Sequence, residues 1–230
     1  PDNVLCRGLV ASGDLAVGFK AAVRAEIATQ SGFVEHAYIE PEAGYARRVG
    51  DGIAVVACTQ TPYMDRDEIA LILGIAQKNV RVIPTAVGGG FGGKLDLSLQ
   101  PLACVAAWLT GRTVRMVYTR GESMAASTKR HPSRITASAA ANAEGRLQAF
   151  EFHGDFDTGA YASWGPTVAN RVPVHAMGPY AVPHVRCTTA ALHSNGPPSG
   201  AFRGFGVPQA AIAGEALMDL LAAQLGMDAW

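Results

Sequence analysis

A glycine-rich stretch, VGGGFGGKL, occupies positions 87 to 95 and contains five glycines, one phenylalanine and one lysine. From Gly88 to Lys94 it matches G-x-x-x-x-G-K, the pattern of a loop that cradles nucleotide phosphates with its backbone N–H groups. From Gly88 to Gly93 it also matches G-x-G-x-x-G, the pattern of a dinucleotide-binding loop. Both patterns belong between a strand and a helix. The chemistry to be tested is therefore the binding of an anionic cofactor.

The residues that follow the loop fit neither phosphate pattern. Leu95 stands where a phosphate-binding loop needs a serine or threonine hydroxyl for Mg²⁺. A dinucleotide loop needs a carboxylate for the ribose about 20 positions further on. The chain there reads MVYTRGE, with Tyr118, Thr119 and Arg120 in the place of that carboxylate. A tight glycine turn without a ligand is the structural alternative.

A second unusual stretch, GAFRGFGVPQ, occupies positions 200 to 209. Arg203 lies between Phe202 and Phe205, with glycines on either side of Phe205. A guanidinium among glycines can approach an anionic ligand closely and bind it through several hydrogen bonds. Phe205 offers a flat apolar wall for a planar ring. Two such stretches in one chain favour a cofactor or substrate site over two unrelated turns.

Together these motifs resemble the molybdenum hydroxylases, the family of xanthine dehydrogenase and aldehyde oxidase. The resemblance rests on GGGFGGK (88–94) and AFRGFG (201–206), and it extends over EHAYIEP (35–41), TQ (59–60), RHP (130–132) and HGDFDTGAYASWGP (153–166). It covers nearly the whole chain and implies an α+β fold of mixed sheets and packed helices. The part implied is the first molybdopterin-binding domain of the large subunit.

The resemblance also implies roles for individual residues. Gln60 would donate its amide to the apical oxo ligand of molybdenum, and Arg203 would contact the cofactor near its dithiolene. Arg171 would bind a substrate oxygen and stabilise negative charge there, and Phe205 would stack on the substrate ring. The implied catalytic residues are Gln60, Arg171 and Arg203. The implied cofactor-binding residues are Gln60, Gly89, Gly90, Phe91, Gly92, Gly93, Arg203 and Gly204; those for substrate are Leu95, Arg171 and Phe205. The protein would supply no metal ligand, because the pterin dithiolene holds the metal.

The implied reaction hydroxylates an electron-poor carbon with oxygen derived from water. The family's general-base glutamate lies beyond the second glycine motif, in sequence that this chain does not contain. Glu215 and Asp219, in the closing helical pattern, are interpreted as surface charges. We therefore expect the chain alone to be inactive. The rest of the molybdenum domain, the 2Fe–2S clusters and FAD are expected on other domains or subunits, in an oligomeric enzyme that acts on a small molecule.

One departure from the family bears on the substrate. Purine-oxidising members follow GGGFGGK with a glutamate that binds the heterocycle, and this chain has Leu95 there. Aldehyde-oxidising members carry apolar residues at that position but usually lack the arginine that Arg171 matches. The combination favours an aromatic N-heterocycle, purine-like but bound differently from xanthine. An aldehyde or an aromatic thioester is the alternative substrate. A non-catalytic pterin-binding domain and a P-loop nucleotide-binding domain are alternatives of another class.

The elements that position these motifs follow from hydrophobic periodicity and turn residues. YARRVGDGIAVVACT predicts a hairpin that turns at residues 50–52, and NVRVIPTAV predicts the strand before the loop. Asp65 is predicted to cap the helix RDEIALILG, and Gly74 to end it. The remaining predictions are a buried helix over LSLQPLACVAAWLTG ending at Gly111, a strand over RTVRMVYT, two strands joined at residues 142–145, and a closing helix over VPQAAIAGEALMDLLAAQLG. Two subdomains, about 1–140 and 141–230, are expected.

The composition of the chain indicates which kinds of partner and which cellular compartment are to be expected. The chain has 230 residues and a formal net charge of zero, with 19 basic and 19 acidic side chains. A neutral chain favours neither nucleic acid nor an acidic membrane as partner, and no apolar run has the length of a membrane span. The 4 cysteines form no C-x-x-C pair, and the 6 histidines are scattered, so His36 and His131 are interpreted as structural. No signal peptide is recognised, and a reducing, cytoplasmic setting is expected. Both ends look cut, so a longer parent polypeptide is expected.

Overall fold

The computed structural model describes residues 3–229, which form nine strands and six α-helices. The strands are β1 (Val4–Ser12), β2 (Val23–Ser31), β3 (Ala43–Val49), β4 (Gly52–Ala57), β5 (Val80–Pro84), β6 (Val114–Val117), β7 (Ser133–Ala141), β8 (Leu147–Gly159) and β9 (His184–His193). The helices are α1 (Leu15–Gly18), α2 (Pro62–Leu73), α3 (Gln100–Thr110), α4 (Arg120–Ala126), α5 (Gly165–His175) and α6 (Val207–Leu225). In the described range, no helix is both long and apolar enough to cross a membrane.

The chain divides into two compact units that are not continuous in sequence. The first unit contains the residues up to Val34, Arg130–Ser199 and the residues from Gly204 onward. The second unit contains Glu35–Lys129 and Gly200–Arg203. This division differs from the break expected at about residue 140. That position lies within β7, which pairs along its length with β8.

The first unit is built on a five-stranded sheet with the order β1-β9-β8-β7-β2. All neighbouring pairs are antiparallel except β8 and β9, which are parallel and joined through α5. Phe150, Phe152 and Phe156 alternate along β8 and are fully buried, as expected for a strand with one face on the core. Residues of α5 and α6 complete that core, including Val168 and Leu217.

The second unit is built on a four-stranded sheet with the order β5-β4-β3-β6. Strands β3 and β4 form the predicted hairpin, with Val49 paired to Gly52 across a two-residue turn. Strands β4 and β5 are parallel and joined through α2. The α3 residues Ala103, Cys104 and Ala107 pack on this sheet and are fully buried.

Most of the predicted elements are confirmed. The hairpin, β5, α3, β6, the β7–β8 pair and α6 form where the patterns place them, in an α+β arrangement. Gly74 and Gly111 end their helices in the left-handed conformation, at φ 65° and φ 67°. The outer side of α3 is less buried than expected, because Leu102 and Leu109 are exposed.

The prediction that Asp65 caps α2 is wrong. The helix begins at Pro62 and its N-cap residue is Thr61. Proline suits the first helical position because its missing N–H would have no partner there. Asp65 is instead a buried residue of the first turn and accepts a hydrogen bond from Gln100 Nε2 at 3.1 Å. Burial raises the pKa of this carboxyl above its ordinary value.

Candidate functional site

The glycine-rich loop, residues 88–94, connects β5 to α3, as both phosphate patterns require. Three of its residues have positive φ: Gly89 at 100°, Phe91 at 52° and Gly92 at 104°. Such a φ is unusual for phenylalanine, and residues held in strained conformations concentrate at functional sites. Phe91 is half exposed, so this conformation displays an apolar ring at the surface of the second unit.

Gln60 is hydrogen-bonded to the last residues of this loop. Its side-chain Oε1 accepts hydrogen bonds from Gly92 N–H at 3.1 Å and from Lys94 N–H at 3.2 Å. Its own backbone N–H donates to the Lys94 carbonyl at 3.0 Å. Because both partners of the side chain are donors, the carboxamide oxygen must face the loop and the amino group must face away. In the described chain Nε2 has no acceptor, so Gln60 can donate to a ligand.

Lys94 does not act as a phosphate-binding lysine in this structure. Its side chain is buried, and Nζ donates to the Glu40 carboxylate at 2.7 Å and to the Glu40 carbonyl at 3.0 Å. Nζ also lies 4.6 Å from the centre of the Tyr38 ring. The ammonium charge is therefore neutralised inside the protein. This geometry argues against the P-loop interpretation independently of Leu95.

The segment Gly200–Arg203 lies against the glycine-rich loop within the second unit. Arg203 N–H donates to the Phe91 carbonyl at 2.8 Å. Gly92 permits this approach, because a Cβ there would lie 2.7 Å from the Ala201 carbonyl oxygen. The Arg203 residue itself is exposed. Two motifs that are remote in sequence thus share one backbone hydrogen bond.

His36 holds the other side of the Gly200–Arg203 segment. Its Nε2 is 2.8 Å from the Ala201 carbonyl oxygen, and its ring stacks on Phe202 with centroids 4.1 Å apart. The interpretation of His36 as structural agrees with this burial and these contacts. The sequence reasoning did not assign roles to Tyr38 and Glu40, although both belong to the EHAYIEP motif. Their signal is the alternation of residues 36, 38 and 40 in that motif, which coincides with alternating burial in the structure.

Leu95 follows the glycine-rich loop and is half-buried. Its N–H donates to the Gly92 carbonyl at 3.2 Å, and its carbonyl accepts from Thr61 Oγ1 at 3.0 Å. These bonds fix the backbone at the position where purine-oxidising relatives are expected to carry a glutamate. The second unit therefore brings together Gln60, the loop residues Gly89–Gly93, Leu95 and Arg203.

The first unit carries the remaining predicted residues, Arg171, Gly204 and Phe205. Gly204, Phe205 and Gly206 have consecutive positive φ values of 94°, 48° and 85° just before α6. The Phe205 ring meets the Trp164 ring edge-on, with centroids 5.8 Å apart. Gly206 packs directly on α5, because a Cβ there would lie 2.4 Å from Val172 Cγ2. The tight backbone turn therefore fixes Phe205 beside the start of α5.

Arg171 lies on α5, on the same helical stripe as Trp164 and Val168. Its side chain is exposed and makes no hydrogen bond or ion pair with any residue in the described range. An arginine without a protein partner, on the stripe that begins at the Phe205–Trp164 pair, can bind an anionic or carbonyl oxygen. In the first unit, the candidate substrate-binding groups are therefore the Arg171 guanidinium and the Phe205 ring, with Trp164 packed against that ring.

The donors of the second unit suit a ligand that is rich in hydrogen-bond acceptors. The backbone N–H groups of Gly89, Gly90 and Phe91 donate to no residue between positions 3 and 229, and Gln60 Nε2 adds a fourth donor. Successive backbone N–H groups and a guanidinium suit an anionic group. Among the described residues, no three His, Cys, Asp or Glu side chains are grouped to hold a metal.

Comparison with known proteins identifies the family of this chain. A family model described as the molybdopterin cofactor-binding domain matches residues 1–230. The chain is 45% identical over 218 residues to the nicotinate dehydrogenase large molybdopterin subunit of Eubacterium barkeri, covering 94% of this chain and 51% of that protein. It is 38% identical over 232 residues to a probable xanthine dehydrogenase component of Bacillus subtilis, covering 98% of this chain and 31% of that protein.

Solved structures agree with this match. The aldehyde oxidoreductase from Desulfovibrio gigas superposes with a TM-score of 0.92 at 29% identity, covering 99% of this chain and 25% of that one. The chain therefore spans about half the length of the first of these relatives, and a smaller share of the others.

Proposed function

Because the chain belongs to the molybdopterin cofactor-binding domain family, we propose that it holds the molybdenum–pterin cofactor of an oxidoreductase acting on aromatic N-heterocycles. The enzyme would hydroxylate an electron-poor ring carbon of a purine-like or pyridine-like substrate. The relatives at 45% and 38% identity are named for nicotinate and xanthine. Both are N-heterocycles that carry oxygen acceptors, nicotinate in a carboxylate substituent and xanthine in carbonyl groups of the ring. The observation that carries the substrate class is the exposed guanidinium of Arg171, which makes no hydrogen bond or ion pair in the described chain. It lies on α5, the helix whose N-cap residue Trp164 contacts Phe205.

The residues of the second unit would bind and orient the cofactor. Gln60 would donate from Nε2, held in place by the two loop N–H groups that its oxygen accepts. The free N–H groups of residues 89–91 and the Arg203 guanidinium would bind acceptor atoms of the cofactor. The Phe91 ring would shield the centre from water. When bound, the cofactor supplies two-electron oxidation of the substrate together with oxygen derived from water.

The residues of the first unit would act on the substrate. Phe205, supported edge-on by Trp164, would pack against the planar ring. Arg171 would bind an oxygen attached to that ring and stabilise the negative charge that develops there, which is a major source of rate enhancement in such reactions. Leu95, which belongs to the second unit, would present an apolar side chain where a glutamate would otherwise bind the ring.

Several components of the enzyme are proposed to lie outside these 230 residues. They are the general-base glutamate, the rest of the molybdenum domain, the 2Fe–2S clusters and FAD. We also propose that the enzyme is oligomeric. We propose that it lies in the cytoplasm, since the four cysteines form no disulfide in the described chain.

The proposal is tested by the metal and pterin content of the full-length protein and by its substrate preference. We expect molybdenum and a pterin in equal amounts. We expect kcat/KM to be higher for nicotinate, hypoxanthine or xanthine than for benzaldehyde or an aromatic thioester. A protein without molybdenum and pterin would support a non-catalytic or nucleotide-binding domain. A preference for benzaldehyde or for the thioester would support the alternative substrate class within the family.

A further inference from the structure

The segment Glu35–Glu42 runs alongside the glycine-rich loop in the second unit. It alternates in burial: His36 and Tyr38 are buried and Glu40 is half-buried, whereas Ala37 and Ile39 are exposed, Ile39 by 90%. The segment is not a regular strand, because Ala37 has a positive φ of 51° between the two buried rings. Each of the three inward side chains contacts the loop or the Gly200–Arg203 segment.

Glu40 binds both ends of the loop. At the first residue, Glu40 N–H donates to the Gly88 carbonyl at 3.1 Å, and the Glu40 carboxylate accepts from Gly88 N–H at 2.8 Å. At the last residue, the same carboxylate oxygen accepts from Lys94 Nζ at 2.7 Å, and the Glu40 carbonyl accepts from Nζ at 3.0 Å. One residue therefore closes the loop into a ring.

Tyr38 supports the closed loop from beneath. A Cβ at Gly89 would lie 2.9 Å from Tyr38 Cβ, and a Cβ at Gly93 would lie 2.8 Å from Tyr38 Cε1. The Tyr38 hydroxyl donates to the buried Glu42 carboxylate, which fixes the ring. The loop backbone therefore packs against the Tyr38 ring, and the hydrogen bond to Glu42 restrains the rotation of that ring.

The Lys94 side chain is only 2% exposed, and the Glu40 carboxylate is the charge that pairs with its ammonium group. Removing the carboxylate partner of a buried ammonium is strongly destabilising, whereas an exposed ion pair contributes little. The Glu40–Lys94 pair is therefore expected to stabilise the conformation in which Glu40 binds both Gly88 and Lys94.

We infer that Glu40 is a positioning residue for the cofactor: with Lys94 it clamps the glycine-rich loop, and this sets where the residue 89–91 N–H groups and the Phe91 ring meet the cofactor. The inference rests on the proposed function, because it assigns the clamped loop to the molybdenum–pterin group. It gives Lys94 a role other than phosphate binding, and it gives the EHAYIEP motif a role in the site.

The first experiment measures amide hydrogen exchange in the cofactor-free full-length protein. Glu40→Gln keeps the size of the side chain and removes its charge, and Lys94→Met removes the other partner. We expect exchange at Gly88, Gly93 and Leu95 to become about tenfold faster in both variants, with α3 unchanged, because local opening depends on the local contacts. Asp67→Asn, which breaks the exposed ion pair with Arg66, is the matched control and leaves the loop unchanged.

The second experiment measures the cofactor-loaded protein. We expect Glu40→Gln to lower the molybdenum content. We also expect kcat per bound molybdenum to fall about tenfold or more, with KM altered less than about twofold, since a small misplacement of a reacting group is costly. A merely structural defect would reduce the amount of folded protein without changing kcat per molybdenum. The double variant Glu40→Gln/Lys94→Met should be no worse than Lys94→Met alone, because one interaction is lost in both.

The inference is overturned if the loop exchanges at the wild-type rate in Glu40→Gln, or if all amides of the second unit accelerate equally. It is also overturned if exchange accelerates while molybdenum content and kcat per molybdenum stay at wild-type values. Failure of the proposed function is seen separately, as wild-type protein that contains neither molybdenum nor pterin. Should Lys94→Met not fold, the isosteric Glu40→Gln decides.

Discussion

The carboxamide of Gln60 is proposed to have two tasks. Its oxygen accepts from Gly92 and Lys94 and so fixes the end of the glycine-rich loop, while its amino group is left to donate elsewhere. Removing the whole side chain would disturb both tasks at once. A substitution that keeps the acceptor and removes the donor separates them.

We predict that Gln60→Glu retains the loop and loses most of the turnover. The glutamate oxygen can still accept from the two loop N–H groups, but the second oxygen cannot donate to the cofactor. Loss of one such donor costs about 10²–10³ in rate. Steady-state kinetics and molybdenum content of the full-length enzyme check this. Gln60→Ala should lose molybdenum as well as turnover; equal molybdenum loss in Gln60→Glu would contradict the separation of tasks.

At the same scale, Arg171 carries the substrate assignment. We predict that Arg171→Met lowers kcat/KM for N-heterocycles by about 10²-fold, a loss of about 2–4 kcal/mol, while aldehydes are affected far less. An aldehyde has no ring-attached oxygen for this guanidinium to bind. Arg186→Met, at an exposed arginine of β9, is the control. If heterocycles and aldehydes lose equally, Arg171 serves the cofactor or the fold and not the substrate.

At the scale of elements, the loop between β5 and α3 depends on the absence of side chains at particular positions. Gly92 combines a φ of 104° with a neighbour at 2.7 Å from where a Cβ would be. Gly50, in the β3–β4 turn, has a φ of 57° and no atom within 4 Å of that position. A substitution at Gly50 therefore tests only the cost of a side chain at positive φ, whereas a substitution at Gly92 tests that cost together with the clash against Ala201.

We predict that Gly92→Ala destabilises the protein by about 3 kcal/mol, since it combines backbone strain with overpacking. Gly50→Ala should cost only about 1 kcal/mol, the penalty for a left-handed residue. Thermal and urea unfolding of both variants provide the comparison, with molybdenum content as a second measurement. Equal effects of the two substitutions would show that Ala201 can move aside and that the close approach of the two motifs is not required.

At the scale of the whole molecule, the pH dependence of stability has an identifiable source in the first unit. His131 is 2% exposed, and its Nε2 has no hydrogen-bond partner among the described residues. Burial lowers the pKa of His131 to about 4 from 6.5; the Asp157 charge opposes this shift and Arg130 adds to it. The unfolded chain therefore binds a proton that the folded chain rejects, in the window between these two values.

We predict that stability falls as the pH is lowered from about 6.5 to about 4, with His131 accounting for up to about 3 kcal/mol. Well above pH 6.5 the residue is neutral in both states and contributes no pH dependence. Urea unfolding at several pH values checks this, and His131→Phe should flatten the slope in this window. His153→Gln, at a half-exposed histidine of β8, should keep the wild-type slope. A His131→Phe protein with an unchanged slope would place the acid sensitivity elsewhere.

The amino-acid sequence alone determined the elements whose signals are local. The β3–β4 hairpin, the strand and helix on either side of the loop, and the glycine ends of α2 and α3 follow from periodicity and turn residues. The sequence also identified the family, because two glycine motifs in a fixed order depend only on residue type and spacing. Asp65 was misplaced because a capping pattern does not show that Pro62 can begin the helix one turn earlier.

Only the tertiary structure decided which of these residues meet. The bond from Arg203 N–H to the Phe91 carbonyl, the orientation of the Gln60 amide and the pairing of Glu40 with Lys94 all join distant positions. The division into units likewise follows β7–β8 pairing and not a linker in the sequence. Such contacts have no local signal, since they depend on sheet register and on close approach at glycines. Lys94 illustrates the difference: its position in the G-x-x-x-x-G-K pattern is that of a phosphate-binding lysine, whereas its burial against Glu40 makes it part of the support of the loop.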